Sequence, residues 1–193
     1  MKNLFLGLLL AGASAFVFTA CDKDDDDPKN LVELAQATAD LSTLVEAVNY
    51  AELGSVLSNE SEKYTVFAPT NAAFTALLSS LGVSKLTDLD KATVKQLLLY
   101  HVVPGSVKST DLTDGYVKTA ATFGTTTSAL SLLVGTSPSV TLNKDVKVTT
   151  ANVEASNGIV HIVDKVITLP TVVTHALNNP NFSTLVAALT RSD

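Results

Sequence analysis

The chain has 193 residues, 46% of them hydrophobic and 17% charged, with no tryptophan. That length and balance fit one ordinary domain with an aliphatic core plus extra segments, and they exclude an intrinsically disordered chain. A net charge of −6 gives no electrostatic reason for a nucleic-acid partner, and none is expected.

The first segment stands outside the fold. Lys2 precedes an apolar run from Leu4 to Phe18, followed by the small residues Thr19 and Ala20 and then Cys21. The run falls short of the roughly 20 residues a spanning helix needs, and its layout is that of a secretory signal peptide over residues 1–21. Cys21 is the sole cysteine, so no internal disulfide can form. The stretch "FTAC" resembles the lipobox of bacterial lipoproteins. The resemblance implies an acylated Cys21, carrying palmitate-type chains, and hence a membrane partner reached through lipid, with each buried methylene adding about 0.8 kcal/mol. Residues 22–29, rich in aspartate, cannot bury apolar surface and read as a solvated acidic tether. An acidic run after a lipidated cysteine also resembles the surface-export signal of some double-membrane bacteria. It implies an outer-membrane lipoprotein facing the cell surface, with the periplasmic face as the alternative.

From residue 30 the pattern becomes helical. Asn30 can cap a helix carrying Leu31, Leu34 and Ala35, and Asp40 or Ser42 can cap the next, with Leu44, Val45 and Val48 inward. "YTVFA" is a short β-prone run ended by Pro69. Thr70 or Asn71 then caps a helix with Phe74, Leu77 and Leu78 on one side, closed near Gly82. A further helix with Val94, Leu97 and Leu98 inward runs to about Tyr100, and "HVVPG" leaves it as extended chain.

The period then changes to alternation. "ALSLLVG", "SVTLN", "DVKVTTANVEA" and "GIVHIVDKVITL" read as strands, with turns at "NKD" and at Ser156-Asn157-Gly158. Asn-Gly there suggests a tight hairpin with positive φ. In the last strand Ile159, His161, Val163, Lys165 and Ile167 share one face, and Val160, Ile162, Asp164, Val166 and Thr168 the other. Both faces are largely apolar, which predicts a central strand covered on both sides. Helices first and a strand meander last give an α+β class: a mainly antiparallel sheet with packed helices.

The chain also repeats itself. "NLVELAQATADLSTLVEAV" from Asn30 lies over "TVVTHALNNPNFSTLVAAL" from Thr171, with apolar positions coincident and the STLV block identical. An offset the size of a domain predicts one complete domain over 30–170 and the start of a truncated second one over 171–193.

Three blocks carry a family resemblance: "TVFAPTNAAF" (Thr65 to Phe74), "LLYHVVPG" (Leu98 to Gly105) and "NGIVHIVDKVI" (Asn157 to Ile167). In order and spacing they resemble the signature blocks of the fasciclin-like domain. That family implies a β-sandwich-like wedge with helices packed about it, and extracellular or membrane-attached adhesion modules that bind protein, matrix or carbohydrate. In some animal members a tyrosine-histidine block is linked to integrin binding. Its counterpart is Tyr100-His101, a possible binding pair. The residues themselves also allow a structural role, with Tyr100 packed at the helix end and His101 satisfying backbone groups.

Catalysis has little to stand on in the sequence. The histidines His101, His161 and His175 have no metal-ligand spacing, so neither a metal nor a cofactor is expected. His161 lies among Ile159, Val163 and Ile167 and reads as a core histidine bonded to Thr70 or Asn71. Asp164 lacks a second carboxylate at a working distance and reads as the partner of a lysine or of backbone amides. The expected function is a lipid-anchored adhesion or interaction module, not an enzyme, whose ligand is an extracellular or envelope protein or glycan. The alternative is a glycan-binding accessory lipoprotein of a nutrient-uptake system.

Overall fold

The computed structural model describes residues 28–171 except 125, together with 182, 184, 187 and 188. The signal segment, Cys21, most of the acidic tether, His175 and nearly all of the repeated segment lie outside the described residues. Among the described residues no helix is long and apolar enough to cross a membrane.

Of the three helix starts for which the sequence offered a cap, two form as read and one does not. Helix α1 (Leu31–Ala37) opens with a capping box: Asn30 Oδ1 accepts from the N–H groups of Val32 and Glu33, and Glu33 accepts from Asn30 N–H. Helix α2 (Ser42–Tyr50) has Leu41 at its cap position, and neither Asp40 nor Ser42 caps it. Its Thr43 N–H donates instead to Asn71 Oδ1 at 2.9 Å, so the cap comes from the first residue of another helix. A short α3 (Gly54–Leu57) follows, unread in the sequence, then strand β1 (Tyr64–Pro69). Thr70 caps α4 (Asn71–Leu81) by accepting from Ala73 N–H, and Gly82 closes it at φ 68°. Asp90 caps α5 (Lys91–Tyr100), and His101 leads into β2 (Val102–Pro104).

The remaining strands are β3 (Gly115–Thr122), β4 (Ala129–Gly135), β5 (Thr141–Leu142), β6 (Val146–Ala155) and β7 (Gly158–Val163). The sheet order is β2-β1-β7-β6-β5-β4-β3. All neighbours are antiparallel except β1 and β7. The α+β, mainly antiparallel expectation holds, and β7 is central and buried on both faces as read. The parallel β1–β7 pair has a reason in its residues. Both strands are nearly continuous apolar runs, the pattern of strands covered on both sides. At their start the backbones approach so closely that a Cβ on Gly158 would lie 2.0 Å from Tyr64 O.

The central strands separate two cores. Val66 and Ala68 of β1 and Val160 of β7 pack with Leu31, Leu44, Phe74, Val94 and Leu98 from the helices. Phe67 and Val163 pack with Ala121, Leu132, Val134, Leu142 and Val146 from the strands. Alternation along one strand thus serves two partners.

Three strand expectations are corrected. Strand β7 stops at Val163, and the alternation does not run on to Thr168: Val166 and Ile167 are consecutive and both buried. "SVTLN" contributes two paired residues only, and β3 went unread because "GYVKTAAT" lacks a continuous apolar face. The Ser156-Asn157 turn has no residue at positive φ. Asn157 serves the turn through its side chain: Oδ1 accepts from Leu31 N–H at 2.9 Å, and Nδ2 donates to Leu57 O and Asn59 O. The "NKD" turn does take the left-handed form, with Asn143 at φ 50° and Lys144 at φ 64°.

Candidate functional site

Tyr100 and His101 end α5 with their side chains inside the protein, 0% and 2% exposed. Tyr100 Oη donates to Ser131 O at 2.9 Å and accepts from Asn143 Nδ2 at 3.3 Å, which joins the helix to the β4–β5 region. Burial pushes its phenol pKa up, against the opposing bond from Asn143. His101 Nδ1 donates to Leu97 O at 2.7 Å, and its Nε2 accepts from Ile167 N–H at 2.8 Å. A backbone N–H can only donate, so the proton sits on Nδ1. Burial lowers this imidazole to about 4, and the bond to Leu97 only partly offsets that. The binding role implied for the pair is therefore corrected. Neither side chain offers surface to a partner, and each closes a long-range contact inside the fold.

His161 is a core histidine as read, but not through the partners read for it. Its Nδ1 accepts from Asn152 N–H at 3.2 Å and its Nε2 donates to Val107 O at 3.1 Å. Its ring stacks on Phe67, with centroids 5.5 Å apart. Thr70 and Asn71 are occupied elsewhere. Thr70 caps α4, while Asn71 takes Thr43 N–H and donates to Ala39 O and Ser42 Oγ. Asp164 does bind a backbone amide, accepting from Lys147 N–H at 2.8 Å. The neighbouring Lys165 pairs with Asp145, a bond that raises the lysine pKa.

The signature residues thus come together as fasteners rather than as a reacting constellation. Sequence reasoning missed Thr65, Asn143 and Asn152, and it read Asn157 only as a turn residue. Each makes its bonds through the side chain to groups far along the chain, which local spacing does not signal. Asn143 also stood in a recognised turn, that of "NKD". Among the described residues no group of three or more His, Cys, Asp or Glu side chains could hold a metal ion. An open groove of about 360 Å³ lies between the ends of β3, β4 and β5, bordered by Asp114, Thr136, Ser137, Thr141 and Lys144. Asp114 is spent there on the N–H and hydroxyl of Thr136. The large exposed apolar side chains include Phe123 at the β3–β4 turn and Tyr116 on β3, 69% and 49% exposed.

Comparison with known proteins agrees with this arrangement. The family model of the fasciclin domain matches residues 39–170. The protein sll1483 of Synechocystis sp. (strain ATCC 27184 / PCC 6803 / Kazusa) is 39% identical over 145 residues, 75% of this chain and 76% of that one. Human periostin is 24% identical over 139 residues, covering 72% of this chain and 16% of periostin. Among solved structures, a FAS1 domain pair from the insect cell adhesion molecule fasciclin I superposes with a TM-score of 0.60 at 15% identity. The match covers 73% of this chain and 51% of that one, so this chain spans about half of that pair. With three signature blocks folded into one two-core sheet, and with a family match over most of its length, the chain belongs to the fasciclin domain family.

Proposed function

We propose that this protein is a cell-surface adhesion or protein-interaction module held at the outer membrane by lipid on Cys21. The fasciclin domain is associated with cell adhesion or protein interaction, as in the insect cell adhesion molecule fasciclin I. The observation that carries the reading is where the polar signature groups go. Thr70, Asn71, His101, Asn157 and His161 all bond inward, so the blocks hold a shape and leave recognition to the exposed loops and turns. Recognition then works by surface complementarity, with Phe123 and Tyr116 among the exposed aromatic groups that could anchor a partner. Many lipid-anchored copies on one surface raise the local concentration, so weak single contacts suffice.

Labelling cells with tritiated palmitate tests the anchor: the wild type should carry label and a Cys21→Ala variant none. Protease treatment of intact cells tests the facing. Digestion supports display at the surface, and full protection places the protein on the periplasmic side. Pull-down with the mature chain against envelope and matrix proteins tests the ligand class. Retention on a glycan array with no protein partner recovered would favour the accessory glycan-binding reading, with the open groove beside Asp114 and Thr136 as its site.

A further inference from the structure

Residues 106–113, between β2 and β3, are fastened to the sheet by the side chains of Thr65, Asn152 and His161 and by a surface pair of Lys108 with Glu154, instead of by a strand ladder. Thr65 Oγ1 donates to Gly105 O at 2.6 Å and accepts from Val107 N–H at 2.9 Å. Asn152 Oδ1 accepts from Ser109 N–H at 2.8 Å, and Asn152 Nδ2 donates to Ser109 Oγ at 2.9 Å. His161 Nε2 donates to Val107 O at 3.1 Å. The last two fasteners are linked, because Asn152 N–H donates to His161 Nδ1 at 3.2 Å.

A β-bulge makes that link possible. Thr150 pairs with Ile162 and Val153 with Val160, so Ala151 and Asn152 together oppose His161. Asn152 sits at φ 62°, which turns its N–H toward the imidazole and its side chain toward Ser109. Below residues 106–113 is a cavity of about 90 Å³ lined by Phe67, Val103, Val107, Leu112 and Val117, with Thr65 and Asp111 at its border. Phe67 also stacks on His161, so one ring touches both the latch and the cavity.

We propose that residues 106–113 form an acid-released strap whose latch is His161. A proton on Nδ1 replaces the acceptor facing Asn152 N–H with a second donor. Asn152 then lets go of Ser109, and the strap lifts from the cavity. Burial holds the imidazole pKa below its ordinary value while the strap is closed. With the strap open the ring meets water and returns to about 6.5. The closed state is therefore fully favoured above about pH 6.5. Its ratio to the open state falls about tenfold per pH unit as the pH drops from there toward the lowered value.

The charged groups around the latch are Lys108 and Asp111 on the strap and Lys147 and Glu154 on β6. Tyr64 is the titratable group of β1, and β7 contributes only His161 itself. Lys108 and Glu154 pair at 2.8 Å on the surface. The bond between them raises the lysine pKa and lowers that of the carboxylate, so both stay charged across this window.

Amide hydrogen exchange on the full chain, read by NMR from pH 7.5 to 5 and corrected for intrinsic rates, tests the latch. The His161 ring resonances are followed in parallel. Protection at Val107, Ser109 and Asn152 should fall about tenfold per pH unit below 6.5, while the β1–β7 ladder keeps its protection. Three results would overturn the idea: constant protection at those amides, equal loss at every amide, or a ring that titrates near 6.5 while the strap keeps its protection. In a His161→Gln variant the pH dependence of the three amides should vanish. Should that variant fail to fold, the wild-type comparison of strap and ladder decides.

Discussion

On one face of β1 and β7, helices supply the partners of Val66, Ala68 and Val160; on the other, Phe67 and Val163 meet strands β3 to β6. The helical side is assembled mostly from local decisions, apart from the bonds that Asn71 and Asn157 make to α2 and α1. Asn30, Thr70 and Asp90 cap their own helices within three residues, and Gly82 ends α4 in place. The strand side depends on distant ones. Tyr100 reaches Ser131 and Asn143, Asn152 reaches Ser109, and His161 reaches Val107. Each side also buries one histidine that accepts a backbone N–H: His101 beside the helices and His161 among the strands. One strand pair can thus join a locally coded half to a half held by long-range polar bonds.

The sharpest way to break this comparison is to hollow each core in turn. Phe74→Ala on the helical side should cost about 4 kcal/mol, and Leu132→Ala on the strand side about 3 kcal/mol. Because β1 and β7 belong to both cores, far-ultraviolet circular dichroism and tyrosine fluorescence should report one coincident urea transition in each variant. Two separated transitions would show that the halves unfold independently. Gly158→Ala attacks the seam itself. Its new methyl meets Tyr64 O at 2.0 Å, so stability should fall by about 3 kcal/mol in the same titration.

Acid should separate the two histidines. The folded pKa of His101 lies near 4, below its unfolded value of about 6.5. The stability tied to its neutral form is complete above pH 6.5 and is lost as the pH falls toward 4, by up to about 3 kcal/mol. Urea midpoints measured between pH 7 and 4 should show that slope, and a His101→Gln variant should flatten it. His161→Ala is milder at neutral pH. It removes one donor and one acceptor at the strand face, and the melting temperature should drop by roughly 5 °C. The smallest effect belongs to the surface: Lys165→Ala breaks an exposed pair with Asp145 and should leave the melting temperature unchanged within error.

The same division decided what the sequence could reveal. The starts of α1 and α4 were legible because a cap and its apolar stripe are neighbours in the chain, whereas the Asp90 cap of α5 went unread. The start of α2 was misread because its cap is Asn71, far along the chain. Strand β7 was legible as central because both its faces are apolar, but its end at Val163 was not. Val166 and Ile167 keep an apolar pattern while their backbone turns away to meet His101. Strand β3 was illegible because Lys118, Thr119 and Ala120 hide its alternation, and Thr119 is buried through a bond to Leu130 O. Of the site, the roles of Thr70 and Asp164 could be read locally. The exclusion of Tyr100 and His101 from the surface could not, since it follows from how α5 lies against the sheet.

The two points where the chain enters and leaves this sheet lie at opposite ends of β7. Lys29 O accepts from Ser156 N–H and Leu31 N–H binds Asn157 just before the strand begins, whereas Ile167 is fixed to His101 past its far end. Tension pulling those points apart would run lengthwise along β7, across rungs that stand perpendicular or slanted to the pull. The rungs to β1 and β6 would then share the load at once instead of opening in sequence like a zip.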